Sequence, residues 1–291
     1  MNIDGHAAAA EIIGKLKKLP KPEKILAAIL VGDDPRSISF LKQKEQVAKE
    51  LGIDFRLYKL EASLGNDALR KEVRRLLEKK SVGGGIIQLP LPEGLNPYYV
   101  LNAVPREKDV DVLSERALGA FYNNRNPVLP PAVATVKTIL EKVSAEGGSA
   151  SGGNFDLAKA DVAVVGLGTL IGRPVSLWLT GKCKELHLLG RNSDLKILTT
   201  CDVVISGVGK AGIIRADMLK EEAGVIDFGY YYFPDGEVSG DFSPDPSPSS
   251  HPSQSYGGQT GQVSFYTPTP GGTGPILVAE LFRNFYTLTQ R

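Results

Sequence analysis

The sequence predicts an α/β protein made of two successive parallel-sheet series. Three observations lead there. Short aliphatic runs such as Ile25–Val31, bounded by turn residues, have the length and composition of strands buried on both faces. Stretches of helical periodicity separate those runs, and parallel pairing needs crossovers of that length. The chain's 291 residues suit two domains or one large α/β unit, and the strand–helix alternation occurs twice.

Taken in order, Asp4–Leu19 sets Ile12, Ile13, Leu16 and Leu19 at helical spacing before Pro20 and Pro22 stop the helix. Lys24–Val31 is the first predicted strand, closed by Gly32-Asp-Asp-Pro35. Ser37–Leu51 reads as a helix ended by Gly52, Asp54–Leu60 as a strand, Asn66–Lys80 as a helix capped by Asn66, and Gly85–Leu89 as a strand running into Pro90-Leu-Pro92. This order is βαβαβ. A further helix is predicted over Val133–Val143, followed by a Gly/Ser-rich stretch, 144–153, suited to a flexible excursion. The second series has short strands at Asp161–Val165, Glu185–Leu189, Asp202–Ser206 and Gly224–Phe228. Ser243–Gly261, rich in Ser, Pro, Gly and Gln, is predicted to stay a disordered loop, and Ile276–Leu288 to form the last helix.

Composition narrows the functional classes. Lys and Arg number 34 against 33 Asp and Glu, so no net field gathers polyanions, and neither nucleic acid nor a membrane surface is expected as a partner. The apolar run Ile25–Val31 is far short of the ~20 residues that span a bilayer, and charged residues interrupt Met1–Leu19. No signal peptide or membrane helix is expected, which points to a cytoplasmic protein. Cys183 and Cys201 with His6, His187 and His251 make neither a disulfide framework nor a zinc spacing, so no metal is expected.

Four local patterns can carry chemistry. Val162-Ala-Val-Val-Gly166-Leu-Gly168-Thr-Leu-Ile-Gly172 sets a Gly-rich turn between a buried strand and a helix, where backbone N–H groups and the helix N-terminus can hold a pyrophosphate. Its G-x-G-x-x-x-G spacing is one residue longer than the usual dinucleotide fingerprint, and a plain tight turn is the alternative. Gly166, Gly168, Thr169, Ile171, Gly172 and Arg173 are its candidate cofactor contacts, with Arg191, Asn192 and Gly207 at the ends of the next two strands. No carboxylate follows Leu189 to accept a ribose 2′-hydroxyl, whereas Arg191 can meet a 2′-phosphate. NADP is therefore the expected cofactor, with NAD possible and an ordinary surface arginine as the other reading.

The helix after the first strand, wound at ~100° per residue, places Phe40, Lys44, Val47, Ala48 and Leu51 on one face. Lys44 is then a charge in an apolar stripe, either a desolvated lysine with a lowered pKa that can shuttle protons or a side chain that snorkels to water. Gln88 stands near a strand end, where ligands of open α/β sheets bind, or simply meets loop backbone there. Asp109 and Asp111 would aim the same way if their segment were extended, or would decorate an exposed turn. His187 reads as a core histidine of a buried strand, Trp178 as packing, and the two cysteines as ordinary thiols.

Together these pieces resemble the bifunctional methylenetetrahydrofolate dehydrogenase/methenyltetrahydrofolate cyclohydrolase family, in order over nearly the whole chain. The residues that carry the resemblance are Val31-Gly-Asp-Asp-Pro-Arg-Ser37 followed by Lys44, Gly85-Ile-Ile-Gln-Leu-Pro-Leu-Pro92, Pro105-Arg-Glu-Lys-Asp-Val-Asp111, Gly172-Arg-Pro174, Val225-Ile-Asp-Phe-Gly229, Gly240-Asp241 and Thr267-Pro-Thr-Pro-Gly-Gly-Thr-Gly-Pro275. The resemblance implies an N-terminal α/β catalytic domain, 1–127, to which a C-terminal helix, 275–291, returns, and a Rossmann-type NAD(P)-binding domain, 128–274. It implies a homodimer and tetrahydrofolate derivatives as substrates. By the same resemblance Lys44 is the catalytic lysine, Gln88 its hydrogen-bond partner and Asp111 the anchor of the pterin ring. Phe40, Leu89, Pro90, Gly271 and Gly272 would line the substrate.

Several positions depart from the family's pattern. Phe40 replaces a tyrosine, Val112 a glycine, Pro130-Pro-Ala-Val133 a Pro-Cys-Thr-Pro string, and Leu167-Gly168 an Arg-Ser or similar pair, while the loop 243–261 is longer. Two other readings stand beside the bifunctional enzyme: a non-catalytic or monofunctional paralogue that binds folate or nucleotide, and another Rossmann oxidoreductase acting on a small acid.

Overall fold

The chain divides into two units in the computed structural model, which describes residues 1–145, 155–244 and 263–290. The first unit is Ala9–Pro131 with Val278–Arg291, and the second is Met1–Ala8 with Ala132–Leu277. Among the described residues no helix is long and apolar enough to cross a membrane.

In the first unit, β1 (Ile25–Val31) is buried at every residue because it is the central strand of a parallel sheet ordered β2-β1-β3, with β2 (Phe55–Leu60) and β3 (Val82–Ile87) as neighbours. Helix α1 (Gly5–Leu16) stops short of the predicted Leu19, since Lys18 and Leu19 donate to carbonyls three residues back and tighten the last turn. Helix α2 (Pro35–Leu51) is capped by Asp34, whose carboxylate accepts the Ser37 N–H at 2.9 Å, and ends at Gly52 in the left-handed conformation. Helix α3 (Asn66–Leu77) begins without the predicted Asn66 cap. Gly65 holds the cap position, while Asn66 Oδ1 accepts the Asn96 N–H at 2.7 Å.

Strand β3 starts three residues before the predicted Gly85, at Val82, and runs through a triple glycine that reads locally as a turn signal. Packing explains the glycines. A Cβ on Gly84 would lie 2.7 Å from the Phe285 ring, and one on Gly85 would lie 2.7 Å from Leu77. Elements on both faces thus approach closer than a side chain allows. Two short helices were not anticipated, α4 (Pro97–Leu101) and α5 (Glu115–Tyr122), whose N-termini are closed by the Asn96 and Ser114 side chains. The core of this unit gathers Ile29, Leu69, Val73, Leu77 and Val100. The returning C-terminal helix joins the unit from Val278 on, and Asn284 Nδ2 ties it down by donating to Val110 O at 2.8 Å and Leu129 O at 2.7 Å.

Helix α6 (Pro131–Ala145), which carries the chain into the second unit at Ala132, is two residues longer at each end than predicted. Then come β4 (Asp161–Val165), α7 (Gly172–Leu179), β5 (Glu185–Leu189), β6 (Val203–Ser206), β7 (Ile214–Arg215), β8 (Ala223–Asp227), β9 (Tyr231–Tyr232), β10 (Val238–Ser239), β11 (Phe242–Ser243), β12 (Val263–Tyr266) and α8 (Thr273–Thr289). Five strands form a parallel sheet ordered β12-β8-β6-β4-β5, β9 and β10 pair as an antiparallel hairpin, and β11 pairs with β7. Val165, Val204, Ile214 and Val225 fill its core. β5 is the edge strand of this sheet, so His187 is half-buried beside Glu185 rather than a core histidine. The predicted flexible excursion lies outside the described residues from 146 onward. The predicted loop does so from 245 onward, Ser243 itself belonging to β11.

Replacing Asn284 by Ala orphans two carbonyls, and each buried unsatisfied acceptor costs about 1–3 kcal/mol. Chemical denaturation of Asn284→Ala is expected to show a loss of that size, and wild-type stability would show that water replaces the amide.

Candidate active site

Lys44 lies in the buried stripe of α2, Ser37, Leu41, Lys44, Ala48 and Leu51. The stripe is rotated from the predicted face. Leu41 is inside, whereas Phe40 and Val47 are only half-buried. Lys44 is only 9% exposed and its ammonium donates to Gln88 Oε1 at 3.1 Å, so it does not snorkel. Gln88 is the first residue past β3, and its Nε2 donates to Leu89 O at 2.8 Å, which orients the amide with its oxygen toward the lysine. The order β2-β1-β3 reverses direction between β1 and β3, so Lys44 and Gln88 stand at the switch point of this sheet. Leu89 and Pro90 follow, half-buried and exposed, joined by a cis peptide.

Asp111 completes the group. Burial pushes its carboxyl up to about 6, with Lys44 pulling it down and Asp109 pushing it up. Burial likewise holds the Lys44 ammonium below its ordinary range, partly offset by Asp111. The segment that holds Asp109 and Asp111 is folded into a turn rather than extended. The Asp109 carboxylate accepts the N–H groups of Leu113 at 3.1 Å and Ser114 at 2.8 Å, and Lys108 Nζ closes the end of α3 by donating to Leu77 O at 2.6 Å. Val112 sits inside this turn with φ +56°, fully buried. That region costs a β-branched residue about 1–3 kcal/mol, which explains why glycine suits the position.

A second cluster forms at the carboxyl ends of β4, β5 and β6, around the switch point of the five-stranded sheet. Gly166 turns the chain at φ +86°, and a Cβ on Gly172 would lie 1.8 Å from Gly166 O, so this strand–turn–helix crossing is open only to glycine. A Cβ on Gly168 would meet nothing within 4 Å. The turn therefore leaves the space over its backbone that a dinucleotide needs, and its residues fit such a cofactor. Thr169 and Ile171 are half-buried in the turn, and Arg173 Nε donates to Leu167 O at 3.1 Å. Arg191 and Asn192 are exposed where β5 ends, next to β4, and Gly207 leaves β6 on the other side. Gly271 (φ +99°) and Gly272 lie in the second unit, where the Gly5 N–H donates to Gly271 O at 3.0 Å.

Sequence reasoning gave no role to a buried carboxyl pair in this unit, Asp227 and Asp241, although both stand in strings it singled out. Asp227 accepts the Gly229 N–H at 2.6 Å and the Phe242 N–H at 2.9 Å. Burial and neighbouring Asp241 push its carboxyl up to about 8. Both cysteines are free and their thiols are raised by burial, Cys201 to about 11, which suits inert side chains.

Comparison with known proteins agrees over both units. A family model described as tetrahydrofolate dehydrogenase/cyclohydrolase, catalytic domain, matches residues 3–111, and one described as its NAD(P)-binding domain matches 150–291. A bifunctional protein FolD of Bacillus licheniformis is 31% identical over 290 residues, covering 97% of this chain and 94% of its own. Among solved structures, the bifunctional methylenetetrahydrofolate dehydrogenase/cyclohydrolase of Campylobacter jejuni superposes with a TM-score of 0.86 at 26% identity, covering 100% of this chain and 98% of that one. A Trypanosoma brucei methylenetetrahydrofolate dehydrogenase-cyclohydrolase, solved with NADP cofactor and an inhibitor, gives 0.84 at 25% identity, covering 100% and 97%.

The raised Asp227 carboxyl makes stability depend on pH. Between 3.8, its ordinary value, and about 8 the folded chain keeps a proton that the unfolded chain releases. This group's contribution is fully present at low pH and falls as pH rises through that window, by at most about 1.4 kcal/mol per unit. Urea titrations of Asp227→Asn are expected to show a flatter slope between about pH 6 and 8 than the wild type, and equal slopes would place the proton elsewhere.

Proposed function

We propose that this chain, which belongs to the tetrahydrofolate dehydrogenase/cyclohydrolase family, is a bifunctional enzyme of one-carbon metabolism. It oxidises 5,10-methylenetetrahydrofolate to the 5,10-methenyl form and hydrolyses that to 10-formyltetrahydrofolate. The observation that carries the reading is the buried Lys44 donating to Gln88 beside Asp111, in a chain whose second unit holds a glycine-built dinucleotide turn.

Each residue has a role that its surroundings suit. Asp111, ionised above about 6, accepts N–H donors of the pterin ring and fixes the one-carbon centre near Lys44. The cofactor, NADP with NAD as the alternative, supplies hydride acceptance when bound. Gly166, Gly168 and Gly172 would hold its pyrophosphate, and Arg191 its 2′-phosphate. In the hydrolytic step water adds to the methenyl carbon, the bond from that carbon to N5 breaks, and one proton is released. Lys44, its ammonium weakened by burial, moves that proton while Gln88 holds its head in place. Phe40, one turn before Lys44, brings a ring but no hydroxyl. This favours a second reading, a dehydrogenase whose hydrolytic step is weak.

The same reading places the protein in the cytoplasm as a homodimer whose ligands are tetrahydrofolate derivatives and the dinucleotide, without nucleic-acid or membrane partners. Near-balanced charge supports the last point.

Turnover separates the readings. Wild-type protein is expected to reduce NADP with 5,10-methylenetetrahydrofolate and to consume methenyltetrahydrofolate, and silence in both assays would favour a binding paralogue. Lys44→Met should remain folded by circular dichroism and lose at least about 100-fold of the hydrolytic rate; full hydrolysis in that variant would sink the assignment. Arg191→Ala is expected to raise KM for NADP about 10-fold or more with little change for NAD. Equal effects on both cofactors would remove Arg191 from the 2′-phosphate site.

A further inference from the structure

The loop Gly207–Lys210 leaves the carboxyl end of β6 against the Gly-rich turn. The Gly207 N–H donates to Val165 O at 3.0 Å, and a Cβ on Gly207 would lie 2.9 Å from the Ile171 side chain. Val208, Gly209 and Lys210 are exposed, Val208 at 40%. N–H groups of such a loop ordinarily face water or a bound anion. Here two of them turn inward. Val208 N–H donates to Asp241 Oδ2 and Lys210 N–H to Asp241 Oδ1, both at 2.7 Å, and the Ser206 hydroxyl donates to Oδ2 at 2.6 Å.

Asp241 is fully buried beneath this loop. Glycines allow its approach to Asp227. A Cβ on Gly240 would lie 2.1 Å from Asp227 Oδ2, and one on Gly229 would lie 2.4 Å from Asp241 Oδ1. Burial and the neighbouring Asp241 raise Asp227 to about 8, so it keeps its proton at neutral pH. A carboxylate with three donors converging on it is a fixed point for the chain that supplies them.

We infer that Asp241 is a positioning residue for cofactor binding. It holds Gly207–Lys210 in the shape that forms the β6 side of the crevice. With the Val208 and Lys210 amides engaged below, that side offers the Val208 side chain and bare Gly209 backbone to a flat ring of the dinucleotide. The phosphates are left to the Gly166–Gly172 turn. The inference rests on the reading that this unit binds NADP.

Fluorescence titration of the full chain with NADPH, beside steady-state kinetics in NADP, tests it. Asp241→Asn turns one acceptor into a donor facing a backbone N–H. NADPH Kd and KM for NADP are expected to rise about 10-fold or more, with kcat at saturating NADP changed by less than about 3-fold. Ser206→Ala removes a single donor, perturbs the fold less, and is expected to weaken NADPH by about 3-fold. Affinities within about 2-fold of wild type in Ser206→Ala and in folded Asp241→Asn would overturn the assignment, as would a loss confined to kcat. Wild-type protein that binds neither NADPH nor NADH would instead overturn the cofactor reading.

Discussion

Keeping one ammonium group out of water constrains much of the first unit. Lys44 is tolerable in the buried stripe of α2 only because Gln88 accepts from it and Asp111 offers an opposing charge. Each partner depends on structure built elsewhere. Gln88 reaches the lysine because β3, whose Gly84 and Gly85 lie against Phe285 and Leu77, ends where it does. Asp111 reaches it because Asp109 gathers the Leu113 and Ser114 amides into a turn, and because Asn284 of the C-terminal helix holds the Val110 carbonyl. Stability and the proposed chemistry therefore share the same few contacts.

The second unit uses a related device for a different end. Asp241 collects the Val208 and Lys210 amides much as Asp109 collects those of Leu113 and Ser114. In each case a buried carboxylate satisfies N–H groups that a loop at a sheet's carboxyl end would otherwise leave to solvent. Shape is imposed on backbone that has no ladder of its own. The cost is a buried carboxyl group, and in the second unit the glycines at 229 and 240 let a second one, Asp227, share the space.

Departures from the family pattern fall where these devices operate. Val112 adopts φ +56° inside the Asp109 turn, a conformation natural to glycine, so the turn persists against local strain. Phe40 keeps its half-buried place one turn before Lys44 while lacking a hydroxyl. Phe40 lies one turn before Lys44 and Val112 follows Asp111, so both changes fall beside the buried Lys44 group rather than in the sheet that supports it. The scaffold is thereby spared, and on the proposed function the balance between oxidation and hydrolysis is the property they would touch.

The sequence alone determined the parallel α/β plan, because buried parallel strands leave continuous aliphatic runs and their crossovers leave helical periodicity. It also marked Lys44 as anomalous, a charge at apolar spacing, and marked the Gly166–Gly172 turn by its context. Tertiary structure alone decided the rest. The start of β3 was hidden because its glycines answer to Phe285, some two hundred positions away, and not to a turn. The edge position of β5, and with it the half-exposure of His187, follows from strand order, which local composition does not encode. Asp109 could equally be read as decorating an exposed turn, and Asp241 carried no role of its own, because a buried acceptor and a solvated one have the same letter. Only the convergence of donors from several segments, set by long-range folding, distinguishes them.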